Sequence, residues 1–346
     1  MTYKNIVIVK LSSIGDVIHA LPVAHALKKQ YPDARITWVV EKPAYDLLIN
    51  NPDIDEIIVF EKSKFKSITG LLINGYKFAK VLRAYHFDLA IDLQGLFKSA
   101  AISYLSGAPK RLVYCNAREQ SHLVGKRICG EHEQGHVVDR YLDVAAHLGC
   151  KIDEASFPIH ITEAEINKTL SIASHAGLKL ENPYVVLAPG TNWVSKCWPP
   201  THFAKLADQL YDHNIIPVII GGPNDQRLAQ EIMANTIVPP VDLTGKTSMK
   251  QLAYIIKRSQ AFVGGDTGPM HLAVAVEIPV VTMFGPTDPN RNGPYGNSHT
   301  VLLTTHSCRG CWKRQCPKQY DCLASISAET VFAAVQEKVN RSGCKM

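Results

Sequence analysis

The sequence predicts an α/β protein made of two doubly wound units, each with a parallel sheet covered by helices. Three observations predict this class. Short apolar runs alternate with helical patterns along most of the 346 residues, and the alternation starts again after residue 180. Hydrophobic residues make up 46% of the chain and charged residues 20%, which supports a well-buried core. The length suits two domains of ordinary size.

The first half begins with the strand NIVIV at 5–9, followed by a polar loop and a helical pattern. Further strands follow the turn residues PD and NNPD, and a long amphipathic helix comes before the next strand. Helices of this length between strands are typical of crossovers in a parallel sheet. The predicted segments are the helix 17–32, the strands 34–40 and 54–60, the helix 68–85 and the strand with its turn at 87–95.

The second half repeats this order from the strand YVVLAPG at 184–190 and closes with a capped amphipathic helix at 327–341. Between this first strand and the closing helix we expect the following elements. They are the helix 201–214, the strand 215–222, the helix 228–235, the strand 241–245, the helix 249–259 and the strands 260–265 and 278–285. The domain prediction is an N-terminal Rossmann-like domain at 1–165, a C-terminal Rossmann-like domain at 166–325 and a terminal helix at 326–346. Binding sites in such units lie at the carboxyl ends of the strands.

The formal charge of +6 is distributed unevenly. Between residues 60 and 130 there are twelve Lys and Arg against four Asp and Glu, so this segment carries +8. A segment of this kind suits an anionic partner, such as nucleic acid, a phospholipid surface or an acidic or phosphorylated glycan. A solvated basic surface with no partner explains the charge equally well.

The first residues do not read as a signal peptide, because Ser12, Ser13, Gly15 and Asp16 interrupt the opening apolar run. No apolar stretch approaches the roughly 18 residues that a membrane span needs. The chain has nine cysteines, and those at 115, 129, 150 and 197 follow no recognisable spacing. We therefore expect a soluble cytoplasmic protein with mostly reduced thiols.

Four loops at predicted strand ends carry the candidate chemistry. The first, KLSSIGD at 10–16, places Ser13 and Gly15 in a strand-to-helix turn and Asp16 near the start of the helix. Asp16 is either a helix N-cap or a carboxylate placed to accept a proton. The loop lacks the G-x-G-x-x-G pattern of dinucleotide sites.

The other three loops follow strands of the second half. Lys196, beside the small residues Thr191 and Asn192, suits a phosphate group, although a lone lysine is commonly just solvated. Asp225 follows the next strand and suits ribose hydroxyls. The stretch GGDTGPMH at 264–271 ends a strand and opens a helix, whose free N–H groups attract anions; its histidine also fits a core position. Together the three loops predict a pocket for a nucleotide diphosphate.

Four blocks of the chain resemble glycosyltransferase family 9, the bacterial heptosyltransferases that act on the lipopolysaccharide inner core. The resemblance implies the GT-B fold, in which two Rossmann-like domains face each other across a cleft. It also implies ADP-heptose as donor, inversion at the anomeric carbon, and no required metal or other cofactor. The first two blocks, with NARE at 116–119, are most similar to heptosyltransferase I, the branch that adds the first heptose to Kdo. The blocks are KLSSIGDVIHALP (10–22), FDLAIDLQGLFKSA (87–100), GTNWVSKCWP (190–199) and GGDTGPMHLA (264–273).

The resemblance also implies a role for individual residues. Asp16 matches the general base that takes the proton from the attacking Kdo hydroxyl. Asn192 stands where some relatives have a second threonine, and Asp225 matches the ribose-binding position only approximately. The implied donor-binding residues are Thr191, Asn192, Lys196, Asp225, Asp266, Thr267, Gly268 and His271. The implied acceptor-binding residues are Ser13, Gly15, Lys62, Lys64, Lys66, Gln94, Lys98 and Arg118.

The implied acceptor is Kdo–lipid A, whose anionic groups account for the basic segment without nucleic acid. A lipid-linked acceptor also implies peripheral contact with the anionic inner face of the bacterial inner membrane. Physical chemistry agrees with the implied absence of a metal. Preorganised amides at a helix start and one lysine can stabilise the charge that develops on a departing diphosphate.

Four further cysteines, Cys308, Cys311, Cys316 and Cys322, lie close together near the end of the chain. The C-x-x-C start is compatible with a structural zinc site. The later spacing is irregular for a zinc ribbon, so we favour a loop whose cysteines are reduced or disulfide-bonded.

Three other functions remain open. One is a related family 9 enzyme with another nucleotide sugar or a later core acceptor, as for heptosyltransferases II and III. Another is a GT-B epimerase, which would usually need further carboxylates in the cleft. A third is a nucleic-acid-binding protein that uses the basic segment and the cysteines, with salt-dependent affinity. This last function leaves the four strand-end loops without a purpose.

Overall fold

Each half of the chain forms its own parallel six-stranded sheet. The computed structural model describes residues 2–65, 67–319 and 321–343. The chain divides into the units Met1–His160 and Ile161–Met346, so the division comes a few residues before the predicted boundary at 165–166. The predicted α/β class with two doubly wound units is confirmed.

The first unit has the strand order β3-β2-β1-β4-β5-β6, and every strand pair in it is parallel. Its first strand is central, and the order of strands reverses beside it, between β1 and β4. The elements are β1 (Asn5–Val9), α1 (Ile14–Gln30), β2 (Arg35–Val40), α2 (Lys42–Leu48), β3 (Glu56–Val59), α3 (Ile68–Arg83), β4 (Leu89–Asp92), α4 (Phe97–Leu105), β5 (Lys110–Tyr114), β6 (Lys126–Ile128) and α5 (Val137–His147).

The second unit repeats the arrangement with the order β12-β11-β10-β7-β8-β9. Here the reversal lies between β7 and β10. The elements are α6 (Glu163–His175), β7 (Tyr184–Ala188), α7 (Pro200–Asp212), β8 (Ile216–Ile219), α8 (Gln226–Ala234), β9 (Val241–Asp242), α9 (Met249–Arg258), β10 (Ala261–Gly265), α10 (Gly268–Ala275), β11 (Val280–Phe284), α11 (Pro289–Asn292), β12 (Thr300–Leu303) and α12 (Ala328–Gly343).

The central strands are buried on both faces because helices cover both sides of each sheet. All five residues of β7 and all five of β10 are buried, and in β1 only Asn5 is partly exposed. Trp198 fills the core of the second unit, and its indole N–H donates to the carbonyl of Ile326, 2.8 Å away. The final helix α12 buries Val331 and Val335 in the same core.

One disulfide is present that the cysteine spacing did not indicate. Cys115 and Cys129 form it, while the other six described cysteines are free thiols. The cause is the pairing of β5 with β6, which sets Tyr114 opposite Ile128. The residue that follows each of these strands is a cysteine, and the Cα atoms of the two cysteines lie 4.6 Å apart.

None of the helices in the described ranges is long and apolar enough to cross a membrane.

Candidate active site

The candidate residues of each unit gather at the carboxyl edge of its sheet, where the order of strands reverses. In open α/β sheets this reversal opens a crevice that ligands commonly occupy. In the second unit the loops after β7 and β10 meet there, and in the first unit the loops after β1 and β4 meet there.

A buried ionic cluster joins the two loops of the second unit. The ammonium of Lys196 lies 2.6 Å from Oδ2 of Asp266. The other carboxylate oxygen, Oδ1, lies 3.4 Å from Nε2 of His271. All three side chains are largely shielded from solvent. The structure therefore brings together three of the predicted donor-site residues.

The cluster keeps Asp266 ionised. Burial by itself raises the pKa of this carboxyl, because desolvation disfavours the charged form. The hydrogen bond and charge of His271, and then Lys196, outweigh burial and lower the pKa to about 2. Asp266 is thus an anion at neutral pH that holds Lys196 and His271 on its two oxygens.

Lys196 is also placed by an aromatic ring and by a close backbone contact. Its ammonium lies 4.4 Å from the centre of the Trp193 ring. The backbone carbonyl of Lys196 comes so near Gly265 that a Cβ at that position would lie 2.9 Å from the carbonyl oxygen. A glycine at the end of β10 therefore lets the lysine loop lie against the strand.

Thr191 shapes the same loop. Its hydroxyl donates to the carbonyl of Trp193, 2.6 Å away, and accepts a weaker bond from the Trp193 N–H. Asn192 is exposed. The two polar residues predicted for donor binding therefore differ, since Thr191 holds the loop while Asn192 faces solvent.

Helix α10 begins beside the ionic cluster. Thr267 is its N-cap, and the hydroxyl accepts a bond from the N–H of Met270, 3.4 Å away. Gly268 is the first helical residue, and His271 lies in the following turn. The positive end of the helix thus lies next to the lysine, an arrangement that favours an anionic ligand.

Asp225 connects the loops that follow β7 and β8. Its carboxylate accepts the N–H of Gly222 at 2.8 Å. A Cβ on Gly190 would lie 2.4 Å from the carboxyl carbon of Asp225, so the first loop approaches it closely. The acidic residue is therefore at the same edge of the sheet as Lys196, and its predicted bond to a ribose stays a prediction.

In the first unit, Asp16 belongs to a capping arrangement at the start of α1. Ser13 is the N-cap, and both its N–H (3.0 Å) and its hydroxyl (2.8 Å) donate to Oδ2 of Asp16. The expectation that Asp16 is itself the N-cap is therefore wrong, because Ser13 takes that position. Oδ1 lies 3.8 Å from the ammonium of Lys10, and the Asp16 side chain keeps 35% of its surface exposed.

Lys10 lies beside this carboxylate, and the sequence analysis did not single it out. Its side chain is 2% exposed, and the ammonium donates to the Leu93 carbonyl at 3.0 Å and to the Tyr141 hydroxyl at 2.7 Å. A buried cation beside Asp16 favours the ionised carboxylate. The sequence signal for Lys10 was its position directly after an apolar strand. The burial of its side chain could not be predicted, because it depends on Tyr141, which is remote in the chain.

The loop after β4 is attached to the loop after β1. The side-chain oxygen of Gln94 accepts the N–H groups of Leu11 and Ser12, each at 3.1 Å. Asp92 accepts bonds from the next turn, and burial raises its pKa to about 6 even though these bonds and Lys10 lower it. Gln94, a predicted acceptor residue, therefore lies next to the Asp16 loop.

The cationic residues predicted for the acceptor are spread more widely. Lys98 pairs with Glu41 at 2.6 Å, and the backbone N–H of Arg118 donates to the Gly95 carbonyl at 2.8 Å. Lys62 and Lys64 lie in a short 3-10 turn after β3, where Lys64 pairs with Glu61. Lys66 lies outside the described residues.

The four cysteines near the chain end are not assembled for a metal ion. Across the described residues, no three of these thiol sulfurs lie within 4.8 Å of one another. A tetrahedral zinc ion with Zn–S bonds of about 2.3 Å would need them closer. Burial, and then the other three thiols, raise the pKa of Cys322, so these residues are neighbours without forming a ligand cage. The structural zinc considered from the sequence stays a prediction.

Comparison with known proteins extends over both units. The glycosyltransferase family 9 (heptosyltransferase) profile matches residues 75–320. Lipopolysaccharide heptosyltransferase 3 of Escherichia coli is 29% identical, over 93% of this chain and 96% of its own length. Lipopolysaccharide heptosyltransferase 1 of Pseudomonas aeruginosa is 28% identical, over 91% and 88%.

Solved structures agree with this similarity. A glycosyl transferase family 9 protein from Veillonella parvula matches with a TM-score of 0.86 at 26% identity, over 99% of this chain and 98% of its own. An Escherichia coli heptosyltransferase solved with ADP-2-deoxy-2-fluoro heptose has a TM-score of 0.72 at 26% identity, over 96% and 99%.

Proposed function

This chain belongs to glycosyltransferase family 9, and from that premise we propose that it transfers L-glycero-D-manno-heptose from ADP-heptose to Kdo of the lipopolysaccharide inner core. It is a glycosyltransferase with the GT-B fold. The donor is suggested by the Escherichia coli relative solved with an ADP-heptose analogue, and the acceptor by the names of the curated relatives.

The ionic cluster of the second unit carries the donor half of the proposal. Lys196 is held by Asp266 and lies beside the start of α10, so a lysine and the positive end of a helix are preorganised for the diphosphate. As the bond between the anomeric carbon of the heptose and the phosphate oxygen breaks, negative charge accumulates on ADP. Fixed donors and dipoles at that position lower the barrier because they need not reorganise. The chain's own lysine and helix end supply these groups, in line with transfer without a metal.

Asp16 supplies the base. The Kdo hydroxyl oxygen forms a bond to the anomeric carbon while the bond from that carbon to the phosphate oxygen breaks, which inverts the configuration. The hydroxyl proton passes to Asp16, and ADP leaves with the bonding electrons. Lys10 stabilises the carboxylate before transfer, and Ser13 orients it through Oδ2. A single base is sufficient for such a displacement.

The basic part of the first unit binds the anionic groups of the acceptor. We assign this to Ser13, Gly15 and Gln94 beside the base, and to the cations Lys62, Lys64, Lys66, Lys98 and Arg118. Asp225 contacts the ribose of the donor, with Thr191, Asn192, Thr267, Gly268 and His271 completing the donor site. The enzyme works in the cytoplasm, peripheral to the inner face of the bacterial inner membrane.

A later heptosyl transfer is the competing assignment. The relatives named heptosyltransferase 3 and heptosyltransferase 1 are 29% and 28% identical, which does not separate the two acceptors. Two acceptors, Kdo–lipid A and the same lipid already carrying one heptose, should be compared with ADP-heptose and with other nucleotide sugars. Preferred ADP release with Kdo–lipid A supports the proposal. Turnover only with the heptosylated lipid assigns the later step, and turnover only with another nucleotide sugar overturns the donor.

A further inference from the structure

Helix α3 exposes three large apolar side chains to solvent. Leu72 is 68% exposed, Ile73 56% and Tyr76 74%. The helix is nevertheless well anchored on its other side. Leu82 is fully buried, and the ring of Phe78 packs 5.6 Å from that of Phe60. The exposed residues therefore form an outward face of a packed helix, a feature that folding alone does not explain.

Helical geometry places these residues together. At about 100° per residue, Leu72, Tyr76 and Ile73 fall within an arc of about 100° that faces away from Leu82. Burying such a face against a partner is favourable because it removes apolar surface from water.

Cations share this outward face. Lys80 and Arg83 fall inside the same arc, Lys77 lies about 40° beyond its edge, and all three are exposed. The sequence of α3 contains no acidic residue, and neither does that of α4, which packs against it. On α4, Phe97 and Tyr104 add further exposed apolar surface. We define the outward α3 face as Leu72, Ile73, Tyr76, Lys77, Lys80 and Arg83.

We propose that the outward α3 face docks on an anionic phospholipid bilayer, with Leu72, Ile73 and Tyr76 inserted at the interface and the cations on lipid phosphates. Interfacial helices combine an apolar face with Lys and Arg in this way. Anionic lipids attract such cations over a Debye length, and the apolar side chains then hold the helix at the boundary. The inference deepens the proposed function, since it gives the enzyme of a lipid-linked acceptor its membrane contact.

The test is co-sedimentation with vesicles at physiological salt, using phosphatidylglycerol–phosphatidylethanolamine vesicles and pure phosphatidylcholine vesicles. The native chain is compared with the triple variant Leu72→Gln, Ile73→Gln and Tyr76→Gln. Glutamine keeps a high helix propensity, and these side chains are exposed, so the fold should be retained. The matched control makes the same number of changes on the other unit: Leu170→Gln, Ile237→Gln and Val238→Gln, all exposed apolar residues.

We expect native binding to the anionic vesicles, at least tenfold weaker binding by the α3 variant, and native binding by the control. Equal binding by the α3 variant and the native chain would overturn the proposal. So would a native chain that binds no vesicles, which would direct the search to an acidic protein partner for this face.

An activity measurement separates this inference from the proposed function. Transfer from ADP-heptose to a deacylated, water-soluble Kdo acceptor should be the same for the native chain and the α3 variant. If the native chain fails to transfer to any acceptor, the proposed function fails while the vesicle result stands. If the variant loses transfer to the soluble acceptor as well, α3 serves the reaction itself and the docking proposal is overturned.

Discussion

The ammonium of Lys196 lies 2.6 Å from the carboxylate of Asp266, although 70 residues separate them in the chain. The contact exists because β7 and β10 are neighbours in the sheet and each residue follows one of these strands. Asp266 thereby holds the lysine in place before any ligand arrives. Binding groups that are already positioned lose less entropy when the ligand binds.

Replacing Lys196 by glutamine should reduce kcat for ADP release by about 10²–10³-fold, because one preorganised donor to the departing diphosphate is lost. The measurement is steady-state turnover with saturating acceptor. Lys205→Gln is a suitable control, since this exposed lysine of α7 pairs with Glu329 at the surface. Native turnover in the Lys196 variant would remove the lysine from the proposed mechanism.

Gly265→Ala should raise the KM for the nucleotide sugar and destabilise the second unit. The new Cβ would lie 2.9 Å from the Lys196 carbonyl, so the lysine loop must move. Overpacking of this kind typically costs about 1–3 kcal/mol. Urea unfolding and the donor KM provide the measurements.

The matched control is Gly75→Ala in α3, where a Cβ would meet no atom within 4 Å. This change should stabilise the helix by roughly 0.5–1 kcal/mol. If Gly265→Ala leaves the donor KM unchanged and does not lower the free energy of unfolding, as expected for Gly75→Ala, the close contact with the Lys196 carbonyl does not constrain the loop.

The free energy of unfolding should fall as pH decreases from about 6.5 to about 4, in part because of His299. Burial, with a smaller effect of Lys338, lowers its pKa to about 4, although the bond to Tyr295 raises it. The unfolded histidine binds a proton near pH 6.5, before the folded one does, so protonation favours unfolding in this window. The contribution is present above pH 6.5 and amounts to about 3 kcal/mol.

One hydrogen bond acts with burial to favour the neutral form. Nδ1 of His299 accepts the N–H of Val280 at 3.2 Å, and Nε2 lies 3.1 Å from the Tyr295 carbonyl, to which it donates in this tautomer. A proton on Nδ1 would break the first bond. His299→Gln should flatten the pH dependence of the urea midpoint between pH 6.5 and 4. An unchanged slope in the variant would show that other groups dominate.

The central strands could be predicted because their residues are apolar on both faces. The sequence indicated β1, β7, β10 and β11 at nearly their observed bounds, and the two-unit α/β class, the family and the enzyme class are confirmed. The edge strand β6 and its neighbour β5 were missed. They are short and carry Lys110, Arg111, Lys126 and Arg127, so their hydrophobic signal is weak.

The site was predictable to the extent that it depends on strand ends. The loops with Asp16, Lys196 and Asp266 were identified because polar and glycine residues follow buried strands. Contacts that depend on which strands are neighbours were not predictable. The sequence did not indicate that Lys196 is paired with Asp266, that Lys10 lies behind Asp16, or that Cys115 is bonded to Cys129.

The most direct test of the proposed reaction compares the native chain with Asp16→Asn, using ADP-heptose and Kdo–lipid A and measuring both ADP release and donor binding. Asp33→Asn, at an exposed turn residue of the same unit, is the control. Loss of the base should lower kcat about 10²–10⁴-fold while the donor Kd stays the same, and the control should match the native chain. Native kcat in the Asp16 variant, or a native chain that releases no ADP with any lipopolysaccharide core acceptor, would contradict the account.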